Sequence, residues 1–248
     1  MDFYQSLEQL HNGSGLDDPL WLYGLILQED TNFKQKSQLH STNNHDPALG
    51  PGWAMFMAGD TYFDHLSKYV DPEEINHCVG FVALWSANMC RSKGLCATGI
   101  RSVSCAHSDM FQPNSIRDLH KGERYANMDY IFLSSIMATS LFLVTITYDI
   151  ACQWYWNFFT HMTQLPSALQ LSSHIDVCFC IPKFHLADHK ESCHAPFSLN
   201  YTKWVGQTNS EGIECIWLWL NKVSHSVSMM GQGGQQNMLD DFCNFWNW

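Results

Sequence analysis

Residues 21–27, WLYGLIL, form an unbroken apolar run that gives out at Glu29 and Asp30, the pattern of a buried strand ending in a polar site. Asp46 to Trp53 (DPALGPGW) then breaks any period with two Pro and two Gly, which predicts a loop. From Asp71, DPEEINHCVGFVALWSANMCRSKG predicts a helix: an Asp-Pro start, acids in the first turn, apolar positions at Val79, Val82 and Ala83, and cations before Gly94. Met128 to Ser140 is compatible with a helix. Leu141 to Tyr148 (LFLVTITY) is rich in β-branched and aromatic residues and predicts a second buried strand, again ending in an acid, Asp149. Tyr148 to Trp156 continues into a helix carrying Trp154 and Trp156. Cys178 and Cys180 alternate with Phe179 as in a strand and read as small buried hydrophobes. GQGGQQ at Gly231 to Gln236 reads as a loop, and no repeat at solenoid periods is present. The pattern is that of an α/β chain.

Composition narrows the class. Across 248 residues, 46% hydrophobic and 15% charged content excludes intrinsic disorder, and 15 Gly with 8 Pro excludes collagen-like or linker composition. A formal charge of −11 excludes nonspecific wrapping of nucleic acid by the whole surface, because phosphate binding needs cations. Any such contact is local. The window 91–124 holds Arg91, Lys93, Arg101, Arg117, Lys121 and Arg124 against Asp109, Asp118 and Glu123, whereas the first 33 residues contain no Lys or Arg. That window reads either as a solvated surface or as a track for a DNA backbone. Ile131 to Thr147 lacks charge over 17 residues, yet it is short for a membrane span, carries six Ser or Thr, and is flanked by Asp129 and Asp149, so no membrane segment is expected. The opening MDFYQSLEQLHNG lacks the basic and apolar regions of a secretory signal, so the ten Cys are expected to be reduced thiols.

Candidate chemistry follows from the strand ends. Two strands each ending in Asp would bring Asp30 and Asp149 to one sheet edge, a geometry that suits Mg²⁺ with a third carboxylate. The structural alternative has Asp30 capping a turn and Asp149 capping the next helix. His185, His189 and Cys193 stand at i, i+4 and i+8, so on a helix they would share one face and could hold Zn²⁺ with Cys105 or His107 as fourth ligand; the alternative is ordinary core or surface histidine. Among the ten Trp, residues such as Trp217, Trp219, Trp246 and Trp248 read as core packing, with base stacking as the functional alternative.

The segments KGERYANMDY (Lys121 to Tyr130), YDIACQW (Tyr148 to Trp154), PKFHLADH (Pro182 to His189), FSLNY (Phe197 to Tyr201) and the closing WNW (Trp246 to Trp248) resemble the Kyakuja-Dileera-Zisupton transposases in order and spacing, from about Trp21 to Trp248. The resemblance implies an RNase H-like core of the DDE type, in which three acids hold two Mg²⁺ or Mn²⁺ ions and DNA strands are cut and rejoined. It implies a lead-in over residues 1–20, a core over 21–248, and a helical, Cys/His-bearing insertion at roughly 50–125 between the first two acids. A family segment like DANFRLK matches DTNFKQK and places the first acid at Asp30. YDIACQ gives Asp149, and GVGRTDGEAPER matches WVGQTNSEGIEC (Trp204 to Cys215), putting the third at Glu211. Lys121 and Arg124 fall in the matched KGERY segment as DNA-backbone contacts. The implied partner is transposon-end DNA, in the nucleus, with a homo-oligomer as in other transposases.

The chain also departs from the pattern. Asn209-Ser210 replaces Asp-Gly, and Cys215 replaces an arginine. CAHS (Cys105 to Ser108) stands where the family has Cys-Ala-Arg-His, LDDFCNFWNW stands for LDDHFGDWNW, and Ser228-Met229 replaces Lys-Glu. These losses support a second expectation, an inactive degenerate copy or a repurposed DNA- or zinc-binding module. Family members carry cysteine-rich zinc modules ahead of the core; this chain opens its first core strand at Trp21, so an isolated or truncated core is expected.

Overall fold

The two strands expected to end in aspartate lie side by side in one five-stranded sheet. The computed structural model describes residues 20–39, 46–69, 94–119, 125–137 and 141–248. A 3₁₀ turn at Leu20–Tyr23 leads into β1, Gly24–Asn32, and a two-stranded ribbon pairs β2, Ser37–Gln38, with β3, Leu95–Ala97. Helix α1, Gly59–Tyr69, lies between them in sequence. The chain continues through β4 (Gly99–Cys105), β5 (Phe111–Leu119), α2 (Tyr125–Ile136), β6 (Leu143–Thr147), α3 (Ala151–Met162) and β7 (Asp176–Cys180). It closes with α4 (Glu191–His194), α5 (Gly212–Leu220), α6 (Ser224–Ser228) and α7 (Gln232–Asn247).

The sheet order is β5-β4-β1-β6-β7, with β5, β4 and β1 antiparallel and β1, β6 and β7 parallel. This mixed sheet bears out the α/β reading. Every residue of β6 is buried, as expected for a parallel strand covered on both faces. On one face Leu27, Val103, Val144, Ile146 and Phe179 pack against Ile131 and Phe132 of α2 and Trp154 and Phe158 of α3. Ile100 and Ile116 of β4 and β5 pack with Ile213, Ile216, Trp217 and Leu220 of α5 and Leu239 of α7.

Three expectations change. β1 does not end at Glu29: β4 pairs it as far as Asn32, whereas β6 pairs it only over Gly24–Gln28. Asp30 therefore lies inside the strand, two residues beyond the last β6 partner. GQGGQQ is not a loop but the start of α7, with Gly231 as N-cap. A Cβ on Gly233 would come within 2.4 Å of the Asp46 carbonyl oxygen, so the glycine permits α7 to sit against the 46–48 backbone. In the stretch 50–125, residues 99–105 and 111–119 supply two strands of the central sheet itself. The apolar run 131–147 is shared between the end of α2 and β6, and among the described residues no helix is long and apolar enough to cross a membrane. The helix expected from Asp71 lies outside the described residues, as do Arg91, Lys93, Lys121 and Arg124.

Candidate active site

Three elements deliver the three matched acids. Alternation along β1 puts Leu27, Glu29 and Thr31 on one face and Ile26, Gln28 and Asp30 on the other. On that second face the Trp217 indole of α5 donates to Asp30 Oδ2 at 2.6 Å. Asp149 follows the C-terminal end of β6, after a buried Tyr148 whose N–H donates to the Cys180 carbonyl of β7 at 3.1 Å. Glu211 immediately precedes α5, and its Oε1 accepts from the Phe184 N–H at 2.8 Å. Asp30, Asp149 and Glu211 line one cleft with Gln28, Thr147, His185, Ser210 and Glu214. Its free volume of about 20 Å³ suits water or a small cation rather than an organic molecule.

Asp30 pairs with Ser102 inside the sheet, and the N-cap of α3 is Ile150, with no side-chain cap bond. Burial pushes the Glu211 carboxyl above its ordinary range, opposed by the Phe184 N–H and by His185.

His185 occupies the middle of this acidic group. Its Nδ1 is 3.5 Å from Asp149 Oδ2, and its Nε2 is 3.6 Å from Glu214 Oε1 and 3.9 Å from Glu211 Oε2. The continuous helix expected to align His185, His189 and Cys193 does not form. The backbone makes a single 3₁₀ turn at Leu186–Asp188, extends at His189 (φ −89°, ψ 164°) and Lys190, and restarts as the short α4. His185 thus turns to the acids, and His189 is buried on the other side of the turn against α3. There Cys152 Sγ is 3.4 Å from His189 Nδ1, and ligand atoms of Cys152, His189 and Cys193 lie within 4.8 Å of one another. This Cys-His-Cys group could hold a metal such as zinc. Cys105 is not in it: that residue pairs with Leu27 at the end of β4, and His107 lines a separate groove with Leu22, Ile26 and Trp204. Cys152 escaped the spacing argument because it comes from another element. Its only signal was its place in YDIACQ, one helical turn after Asp149.

The basic window is largely internal where it is described. Arg101 is fully buried, its Nε 2.5 Å from Glu29 Oε1 and its guanidinium carbon 4.1 Å from the Tyr148 ring centroid. Arg117 is buried, donates to the Met57 carbonyl at 2.9 Å and covers Phe63. Neither is available to a DNA backbone. Of the tryptophans singled out, Trp217 is buried, Trp219 and Trp246 are half-buried and ring-packed, and Trp248 is exposed.

Two residues of the segment around Glu211 adopt backbone that favours glycine: Trp204 at φ 71° and Ser210 at φ 58°. Both stand where the family segment GVGRTDGEAPER has glycine. Ser210 is nonetheless buried, with Oγ 2.5 Å from Thr147 Oγ1.

No curated protein and no solved structure matches the chain. The family model described as Kyakuja-Dileera-Zisupton transposase matches residues 23–247, which include all three acids, His185 and the Cys-His-Cys group. With nearly the whole sequence inside that match, the chain belongs to the Kyakuja-Dileera-Zisupton transposase family.

Proposed function

We propose that this chain is the catalytic core of a DNA transposase, with an RNase H-like sheet and Asp30, Asp149 and Glu211 as a DDE-type set that cuts and joins phosphodiesters. The observation that carries the reading is the convergence of these acids, from β1, the end of β6 and the start of α5, on one small cleft. The sheet order, three antiparallel strands followed by two parallel ones, supports the RNase H-like assignment. The donor set is carboxylate oxygen, which fits hard Mg²⁺ or Mn²⁺. Asp30, Asp149 and Glu211 would hold two such ions; when bound, these would supply Lewis-acid stabilisation of the attacking and leaving oxygens at phosphorus.

The remaining work falls to side chains already in place. Trp217 orients the Asp30 carboxylate and the Phe184 N–H orients Glu211, so neither acid has to be ordered when a phosphate arrives. His185 sits between Asp149 and Glu211 as a donor for their carboxylates or for a phosphate oxygen. Lys121 and Arg124, in the matched KGERY segment, are proposed contacts to the DNA backbone, and the family insertion is proposed for the parts of 50–125 outside β4 and β5. Transposon ends as partner, nuclear residence and a homo-oligomer belong to the same proposal, supported by the family alone.

A second reading, an inactive relic or repurposed binding module, is favoured by Trp204 and Ser210, which hold a left-handed backbone without glycine beside the third acid. Incubation of supercoiled plasmid with the protein and Mn²⁺ separates the two. Nicking by wild type that Asp149→Asn abolishes supports the transposase core. No nicking by a folded wild type that binds DNA supports the repurposed module, and no nicking without DNA binding supports the relic.

A further inference from the structure

We propose that Cys152, His189 and Cys193 bind one Zn²⁺ that fastens α3 to the segment 182–197, and so fixes the spacing between Asp149 and His185. Two thiols and one imidazole with ligand atoms within 4.8 Å of one another already have the compactness of a coordination shell. Around tetrahedral zinc, with Zn–S about 2.3 Å and Zn–N about 2.0–2.1 Å, sulfur and nitrogen ligands stand about 3.5 Å apart; Cys152 Sγ and His189 Nδ1 are 3.4 Å apart. Sulfur and imidazole donors select zinc, whereas the all-oxygen carboxylates across the turn select Mg²⁺ or Mn²⁺, so the two sites would not compete for an ion. Solvent completes the tetrahedron on the half-buried Cys193 side.

The need for such a staple is visible in the chain around it. Between β7 and α5 the structure offers only a three-residue 3₁₀ turn and the four-residue α4, each too short to persist without tertiary support. A supporting bond is in place: the His194 ring donates to the His189 carbonyl at 2.9 Å. Cys152 is three residues after Asp149 and His189 four after His185, so an ion gripping both holds the two ends of the 3.5 Å Asp149–His185 contact. The zinc is a positioning element, apart from the acids themselves.

Elemental analysis of the purified chain and Co²⁺ replacement test this. One zinc per chain is expected, with thiolate-to-cobalt charge-transfer and tetrahedral d–d absorption in the cobalt form. Zinc should be lost in Cys193→Ser and His189→Gln and retained in Asp149→Asn and Glu211→Gln. Chelation should weaken Mn²⁺ binding at the acids. A wild type that neither carries zinc nor yields thiolate bands with Co²⁺ overturns the proposal, as does full zinc in both ligand variants. Because the cobalt spectrum is read on the wild type, a variant that fails to fold does not obscure the answer.

Discussion

Replacing Arg101 with Met should destabilise the whole fold and move both sheet-borne acids. Its Nε lies 2.5 Å from Glu29 Oε1 with both side chains at 0% exposure, and Nη1 donates to Thr31 Oγ1 at 3.0 Å. Removing the guanidinium leaves the Glu29 carboxylate buried without its counter-charge, which costs about 3–5 kcal/mol. Loss of the cation over the Tyr148 ring at 4.1 Å acts in the same direction. For a chain of this size each kcal/mol moves Tm by about 2–4 °C, so the melting midpoint should fall by roughly 6–20 °C. The partner of each contact adjoins a matched acid, Glu29 before Asp30 and Tyr148 before Asp149, so Mn²⁺ binding should weaken as well. The double variant Arg101→Met/Glu29→Leu removes both charges and should recover most of the loss, because a well-packed apolar pair replaces a buried ion pair at little cost. Thermal unfolding followed by circular dichroism reads both effects. A fall of less than about 3 °C in the single variant, well under the cost of a stranded buried charge, refutes the reasoning. A double variant no more stable than the single refutes it equally.

Three further outcomes follow from the same geometry. Ser210→Gly and Ser210→Ala both delete the Thr147 contact, but only glycine relieves φ 58°, so the Gly variant should be the more stable by about 1 kcal/mol, read as urea midpoints; equal midpoints contradict it. Trp217→Phe keeps most of the ring packing but deletes the 2.6 Å bond to Asp30, so it should weaken Mn²⁺ binding about tenfold while lowering Tm by only a few degrees; unchanged affinity by calorimetry refutes the orienting role. Glu211 has its folded-state pKa raised by burial, so its ionised form costs stability above that pKa, and the cost disappears as pH falls through it toward the ordinary value of 4.5. Cation binding needs the ionised form. Mn²⁺ affinity should therefore drop over that window in the wild type, and an affinity flat across it contradicts Glu211 as a ligand.

Much of the fold was legible because the chain states it locally. The continuous apolar runs at 21–27 and 141–148 contain β1 and β6, which are adjacent in the sheet, although the first run opens as the 3₁₀ turn Leu20–Tyr23 and becomes strand only at Gly24. Local pattern failed where tertiary pairing decides. The end of β1 is set by β4, a strand 67 or more positions away in sequence, and Gly233 of α7 answers to the 46–48 backbone rather than to a loop. The resemblance picked out three acids that line one cleft, and strand pattern alone pointed to two of them. Helical spacing misled at His185, His189 and Cys193, because Pro182 opens a turn and the backbone extends at His189, sending the two histidines to different neighbours. Charge pattern misled at Arg101 and Arg117, since a count of cations cannot tell a surface track from a buried counter-charge.

Calorimetric titration of Mn²⁺ into the wild-type protein, Asp30→Asn, Asp149→Asn and Glu211→Gln, each checked by circular dichroism, tests the central claim most directly. Binding by the wild type that each single replacement removes or sharply weakens is the predicted result. No binding by a folded wild type, or binding unchanged in all three folded variants, would contradict the assignment of this cleft as a metal-dependent catalytic centre.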